Sequence, residues 1–143
     1  MADQDINAII ALIRKEDERF DRQAYFFVRD GLEYAVKELK KRDSARARVS
    51  RHVTGRELSE GLRDYALEQY GPLALTVLHN WGIRETIHFG DIVYNLIEYG
   101  VFSKTESDRR EDFADVFTFD EAFVTRFLPR HRRLPLPSFA ETE

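Results

Sequence analysis

The sequence predicts a mainly α-helical fold: a helical domain with a winged-helix-like helix-turn-helix plus β-hairpin, about five to six helices and one short hairpin. Three observations predict it. First, Phe89, Ile92, Val93, Leu96, Ile97 and Gly100 recur at the spacing of one helical face, and Gly100 marks the stop. Second, a shorter apolar segment, Leu73, Ala74, Leu75, Val77, Leu78 and Trp81, precedes that helix and is separated from it by a joint around Gly82, the outline of a helix-turn-helix. Third, two extended-looking segments follow, residues 101–105 and 112–117, with the polar stretch 106–110 between them. A hairpin in that position resembles the wing of a winged-helix domain.

The elements follow in order. Ile6, Ile9, Ile10 and Ile13 give one helical face, so the first helix is expected over residues 3–18. Asp21 is suited to cap a second helix running to about Arg42, with Tyr25, Val28, Leu32, Val36 and Leu39 as its stripe. Phe26 and Phe27 fall off that stripe. Four consecutive large apolar residues, 25–28, must fan around most of a helix, which buries its start within the domain or against another chain. Thr54 and Glu57 form a capping box, opening a third helix to Tyr70 with Leu58, Leu62, Tyr65 and Ala66 inward. Gly71 and Pro72 end that helix and start the next. The apolar residues 73–81 cover most of a helix circumference, which predicts burial on nearly all sides. Thr86 is the expected cap of the following helix. Thr118 and Glu121 repeat the capping-box pattern ahead of a short final helix carrying Phe123 and Phe127. Residues 1–128 thus read as one domain, comprising a helical hairpin over 3–42, a winged-helix-like part over 54–117 and a short helix over 118–128. The segment 129–143, with three prolines and three arginines, is expected to be extended or disordered.

The composition suits a core: 43% of the 143 residues are hydrophobic, and 11 Phe, 6 Tyr and 1 Trp make it aromatic-rich. With no cysteine, disulfides and thiolate chemistry are excluded. The start of the chain is acidic and lacks a signal-peptide layout, and the longest early apolar run, 8–13, is far too short to cross a bilayer. A cytoplasmic protein with no membrane partner is the expectation.

The net charge of −4 is unevenly spread. Residues 37–56 hold eight Lys and Arg against Glu38 and Asp43, whereas residues 91–121 hold nine Asp and Glu against Lys104, Arg109 and Arg110. The basic segment makes Arg46, Arg48, Arg51, His52 and Arg56 candidate phosphate or nucleic-acid contacts. It carries no aromatic residue for base stacking.

Taken together, the segments RHVTGREL, LRDYALEQYGPLALTVLHNWGI, FGDIVYNLIEYGVFSKTESDRREDF and FDEAF resemble an uncharacterised bacterial family, the Verruc-Plancto-restricted conserved proteins. The resemblance spans roughly residues 5–127. It implies a bacterial origin, and no activity or site residue follows from it.

Catalytic signatures are missing. His52, His79, His88 and His131 make no metal-ligand spacing, and no phosphate-binding loop, dinucleotide fingerprint or nucleophile elbow occurs. The acidic run 108–121 has no Gly at a calcium-loop offset. No catalytic residue, metal ligand or cofactor is assigned. A DNA-reading helix needs Arg, Lys, Asn or Gln at the base edges. Residues 86–99 hold no Lys or Arg, but do hold Asp91 and Glu98, with Asn95 the one familiar base-reading type. The sequence therefore points first to a non-enzymatic protein–protein interaction or regulatory domain, self-associating or with a protein partner, and Tyr25, Phe26 and Phe27 are its candidate interface. A nucleic-acid-binding protein using residues 37–56 stands second, and an enzyme with no recognisable motif third.

Overall fold

The computed structural model describes residues 3–43 and 53–129. Six α-helices lie within them: α1 Asp3–Glu16, α2 Arg22–Asp43, α3 Gly55–Tyr70, α4 Ala74–Asn80, α5 Thr86–Glu98 and α6 Phe119–Phe123. Single 3-10 turns, Gly71–Leu73, Arg110–Phe113 and Thr125–Phe127, punctuate the second half. The mainly helical class is as the periodicity predicts. The predicted hairpin is a correction: residues 101–105 and 112–117 form no strand. Short-range polar contacts bend this stretch instead. The Asp108 carboxylate accepts from the Thr105 amide at 2.8 Å, and Asp112 accepts from the Arg109 amide at 3.1 Å. Asp115 then turns the chain in left-handed backbone, at φ 52°. Asp and Thr side chains that bond nearby amides compete with a strand ladder, and here they win.

Helix boundaries follow local chemistry. The Asp21 carboxylate accepts from the Gln23 amide at 2.8 Å and opens α2. Thr54 and Glu57 form the reciprocal capping box of α3, and Thr118 accepts from the Glu121 amide to open α6. The cap of α5 is Glu85, not Thr86. His88 reaches back so that its Nδ1 accepts from the Arg84 and Glu85 amides, at 3.0 and 3.3 Å. Thr86 is buried and accepts instead from the Val116 amide at 3.1 Å, tying the 114–117 turn to α5. Helices α4 and α5 end alike. At each, a glycine in left-handed backbone (Gly82, φ 91°; Gly100, φ 82°) is followed by a residue whose amide returns to a carbonyl five positions back, Ile83 to Leu78 and Val101 to Leu96.

The core gathers around α5. Its Phe89, Ile92, Val93 and Leu96 are buried together with Ile6, Ile10 and Ile13 of α1, Tyr25, Phe27 and Val28 of α2, Leu62 and Ala66 of α3, and Phe119 and Phe123 of α6. Each such side chain contributes about 1.5–3 kcal/mol by leaving water. Burial of α4 on nearly all sides is a second correction. Ala74 and Leu78 are buried, but Leu73 is 65% exposed, because the 3-10 turn Gly71–Leu73 rotates it away from the core.

Helices α2 and α3 form the most extensive helix pair, and small residues set their approach. A methyl group at Gly61 would lie 2.2 Å from the Ala35 Cβ, whereas one at Gly31 would meet the far end of the buried Leu62 side chain and, at 3.1 Å, the Tyr65 ring. We therefore expect Gly61→Ala to destabilise by about 2 kcal/mol, because two backbone-anchored carbons must separate. Gly31→Ala should cost less, since side-chain ends yield more readily than backbone-anchored carbons and alanine gains about 1 kcal/mol of helix propensity. Urea denaturation of both variants checks this; equal effects would show that the pair is not set by backbone contact.

This pairing also alters the predicted face of α2. Gly31, Ala35 and Leu39 turn inward, while Leu32 and Val36, expected in the core, are only partly buried.

A candidate binding groove beside helix α5

Leu32 and Val36 open onto an open groove of about 820 Å³. Helix α2 supplies one wall, with Arg29, Leu32, Glu33, Val36, Lys37 and Lys40. Helix α5 supplies Val93 and Ile97. The chain leaving α5 supplies Val101, Phe102, Lys104 and Asp108, and Val53 and Leu58 close the end. The floor is aliphatic and aromatic, and its rim is charged. Lys37 faces Glu33 at 3.7 Å and Arg29 faces Asp30 at 2.9 Å. No ion pair between described residues involves Lys40 or Lys104. A side cavity of about 70 Å³ shares Leu58, Val93, Ile97, Lys104 and Asp108 with the groove and adds Tyr94 and Phe113. The Tyr94 hydroxyl is buried without a hydrogen-bond partner. Burial, and then the charges of Asp108, Asp112 and Glu111, raise its pKa, so it remains a protonated donor.

On the far side, α5 is anchored by an ionic network. Asp91, buried, accepts from Arg19 Nη1 at 2.9 Å and also pairs with Arg110. Arg19 grips Asp17 with a two-pronged contact, 2.9 Å from Nε and 2.8 Å from Nη2. That hydrogen bonding, helped by Asn95, holds the Asp17 carboxyl far below the usual carboxylate range although burial opposes it. Asn95 donates to Asp17 and to the Tyr25 hydroxyl, both at 3.1 Å. So Asp91 and Asn95, read from sequence as outward residues of a recognition helix, are internal struts. Glu98 is the exposed residue of α5.

The remaining candidates disperse. Tyr25 and Phe27 are buried in the domain's own core, so their place as an interface is corrected to an internal one. Their side chains fan around α2 as predicted, but into neighbouring helices; Phe27 meets Tyr65 and Trp81 with ring centroids 5.5 and 5.7 Å away. Phe26 is partly buried, with the Arg29 and Arg22 guanidinium groups 5.0 and 5.7 Å from its ring. Arg56 is exposed and faces Glu60 at 3.6 Å. Arg46, Arg48, Arg51, His52 and His131 lie outside the described residues, as does the segment 130–143. His79 stacks against Phe119, and His88 packs edge-on to Phe20. Burial lowers the pKa of both histidines, which favours the neutral ring that the His88 cap requires. Neither lines the groove.

Among the described residues, no group of three or more His, Asp or Glu side chains is arranged to hold a metal ion, and no helix is long and apolar enough to cross a membrane. Sequence reasoning missed the groove because Leu32 and Val36 were assigned to the core and residues 101–105 to a strand. The small residues Gly31 and Ala35, four apart, were the available sign that another face of α2 packs inward. No family model matches the chain, and no curated protein or solved structure matches it.

Proposed function

We propose that the chain is a non-enzymatic interaction domain that receives a protein partner in the groove between α2 and α5. The observation that carries this reading is the composition of the groove. Leu32, Val36, Val93, Ile97 and Phe102 present apolar surface, and no described histidine or cluster of facing carboxylates converges on it. Apolar clefts rimmed by charge serve recognition, whereas catalysis needs a positioned acid, base or nucleophile. The winged-helix-like reading has no wing among the described residues. Docking of α5 in a DNA groove is disfavoured, because its residues Phe89 to Val93 are all buried.

The test is recovery of a partner from native lysate by the full chain, compared with a Leu32→Glu/Val36→Glu variant, alongside light scattering. Both side chains are partly exposed, so the variant should fold, and circular dichroism checks that it does. A stable partner or a dimer lost in the variant supports the reading. A strictly monomeric protein that recovers nothing overturns it. Binding to nonspecific RNA at low salt, abolished by Arg46→Glu, Arg48→Glu and Arg51→Glu together, would assign the function to the basic segment instead.

A further inference from the structure

We infer that the groove selects an acidic amphipathic helix of a partner protein, with apolar residues against its floor and carboxylates against Lys40 and Lys104. The inference rests on the interaction-domain reading and adds the chemistry of the partner. Three observations carry it.

The first is shape. The wall from Arg29 to Lys40 is twelve residues of continuous α2, about 16 Å from first to last at 1.5 Å per step. That length accommodates about three turns of a second helix, enough for apolar anchors at positions i, i+4, i+7 and i+11. The second wall, α5, is fixed through Asp91 by the Arg19–Asp91–Arg110 network, so the cleft is preformed.

The second is charge. Four cations border the groove, Arg29, Lys37, Lys40 and Lys104, against Glu33 and Asp108. Glu33 faces Lys37, and Asp108 accepts from the Thr105 amide and hydroxyl. The two lysines left without a carboxylate among described residues, Lys40 and Lys104, come from α2 and from the chain after α5. A basic rim over an apolar floor repels a basic peptide and steers an acidic one.

The third is Tyr94, which lines the adjoining side cavity and whose buried hydroxyl has no hydrogen-bond partner. A buried donor left unpaired is unfavourable, and a neutral acceptor entering the cavity beside it would relieve that. Asp108 and Asp112 border the same cavity and disfavour a second carboxylate there. A hydroxyl or carboxamide oxygen near one end of the partner helix suits the position.

Two fluorescein-labelled 14-residue helical peptides test this on the full chain by fluorescence anisotropy. Both carry Leu at the four anchor positions; one has Glu and the other Lys at the flanking positions. The Glu peptide is expected to bind at least about tenfold more tightly than the Lys peptide, and to weaken as salt screens the contact. Lys40→Glu/Lys104→Glu should abolish or reverse the preference, and Tyr94→Phe should leave it unchanged while altering the affinity of a peptide with a terminal Gln. Both lysines are exposed, so the double variant should fold. Equal binding of the two peptides, or preference for Lys, overturns the inference and leaves the interaction domain standing. If neither peptide binds while the Leu32→Glu/Val36→Glu comparison still shows partner loss, the helical acidic partner is wrong and the groove is right. If the full chain sediments as a dimer that Lys40→Glu/Lys104→Glu dissociates, the occupant is a second copy and the inference fails.

Discussion

Gly82→Ala is expected to lower stability by about 3–4 kcal/mol. Two costs add. Left-handed backbone at φ 91° charges an L-residue about 1–2 kcal/mol. The new methyl would also sit 2.2 Å from the Arg19 carbonyl oxygen, with the Phe20 Cα at 3.5 Å. Backbone cannot rotate aside as a side chain can, so the α1–α2 connection must move away from the α4–α5 turn, an overpacking cost of about 1–3 kcal/mol. That movement strains the hydrogen bond from the Asp21 amide to the Trp81 carbonyl, 3.0 Å, and loosens Arg19 from Asp91. Gly100→Ala is the internal control. Gly100 has the same helix-ending role and φ 82°, yet nothing lies within 4 Å of its would-be methyl. It should show the backbone cost alone. Thermal denaturation should separate the two by roughly 8 °C. Equal losses would mean that Gly82 serves only its helix end, and that the close crossing of the two loops is wrong.

Asp91→Ala is the second large effect, about 3 kcal/mol. The carboxylate is 4% exposed and faces two guanidinium groups, those of Arg19 and Arg110. Breaking a buried ion pair costs about 3–5 kcal/mol because the surviving charge is stranded. Here the surviving cations are half exposed and regain some water, which places the loss at the low end of that range. Arg110→Ala alone should cost about 1 kcal/mol, because Arg19 still satisfies Asp91. The same network predicts acid sensitivity. The folded pKa of Asp17 lies far below its unfolded value of about 3.9. Its contribution is therefore complete above about pH 5 and is lost as pH falls through 4 and below. Asp17→Asn should flatten the acid limb of the stability profile while costing stability at pH 7. An unchanged acid limb in urea titrations would remove Asp17 from the account.

Much of the scaffold was legible in the residues. The boundaries of α2, α3 and α6 follow from Asp21, Thr54 and Thr118, whose side chains bond amides two or three residues on, a local geometry that sequence spacing alone specifies. The helix-ending roles of Gly82 and Gly100 are local in the same sense. The hairpin was misread because alternation in residues 112–117 suits a strand, but a strand needs a partner, and the partner segment was bent by Thr105 and Asp108. The groove was least visible. Leu32 and Val36 have core-like chemistry, and only the tight Gly61–Ala35 crossing of α2 on α3 rotates them outward.

What the sequence determined by itself is therefore the helices, their ends and an aromatic core, because caps, glycine stops and the 3.6-residue period act over a few residues. What only the tertiary structure decided is which faces meet. Asp91 and Asn95 became internal struts rather than a reading edge, and Leu32 and Val36 became a cleft rather than a core. Those outcomes depend on contacts between residues as far apart as Arg19 and Asp91, whose pairing no local spacing encodes.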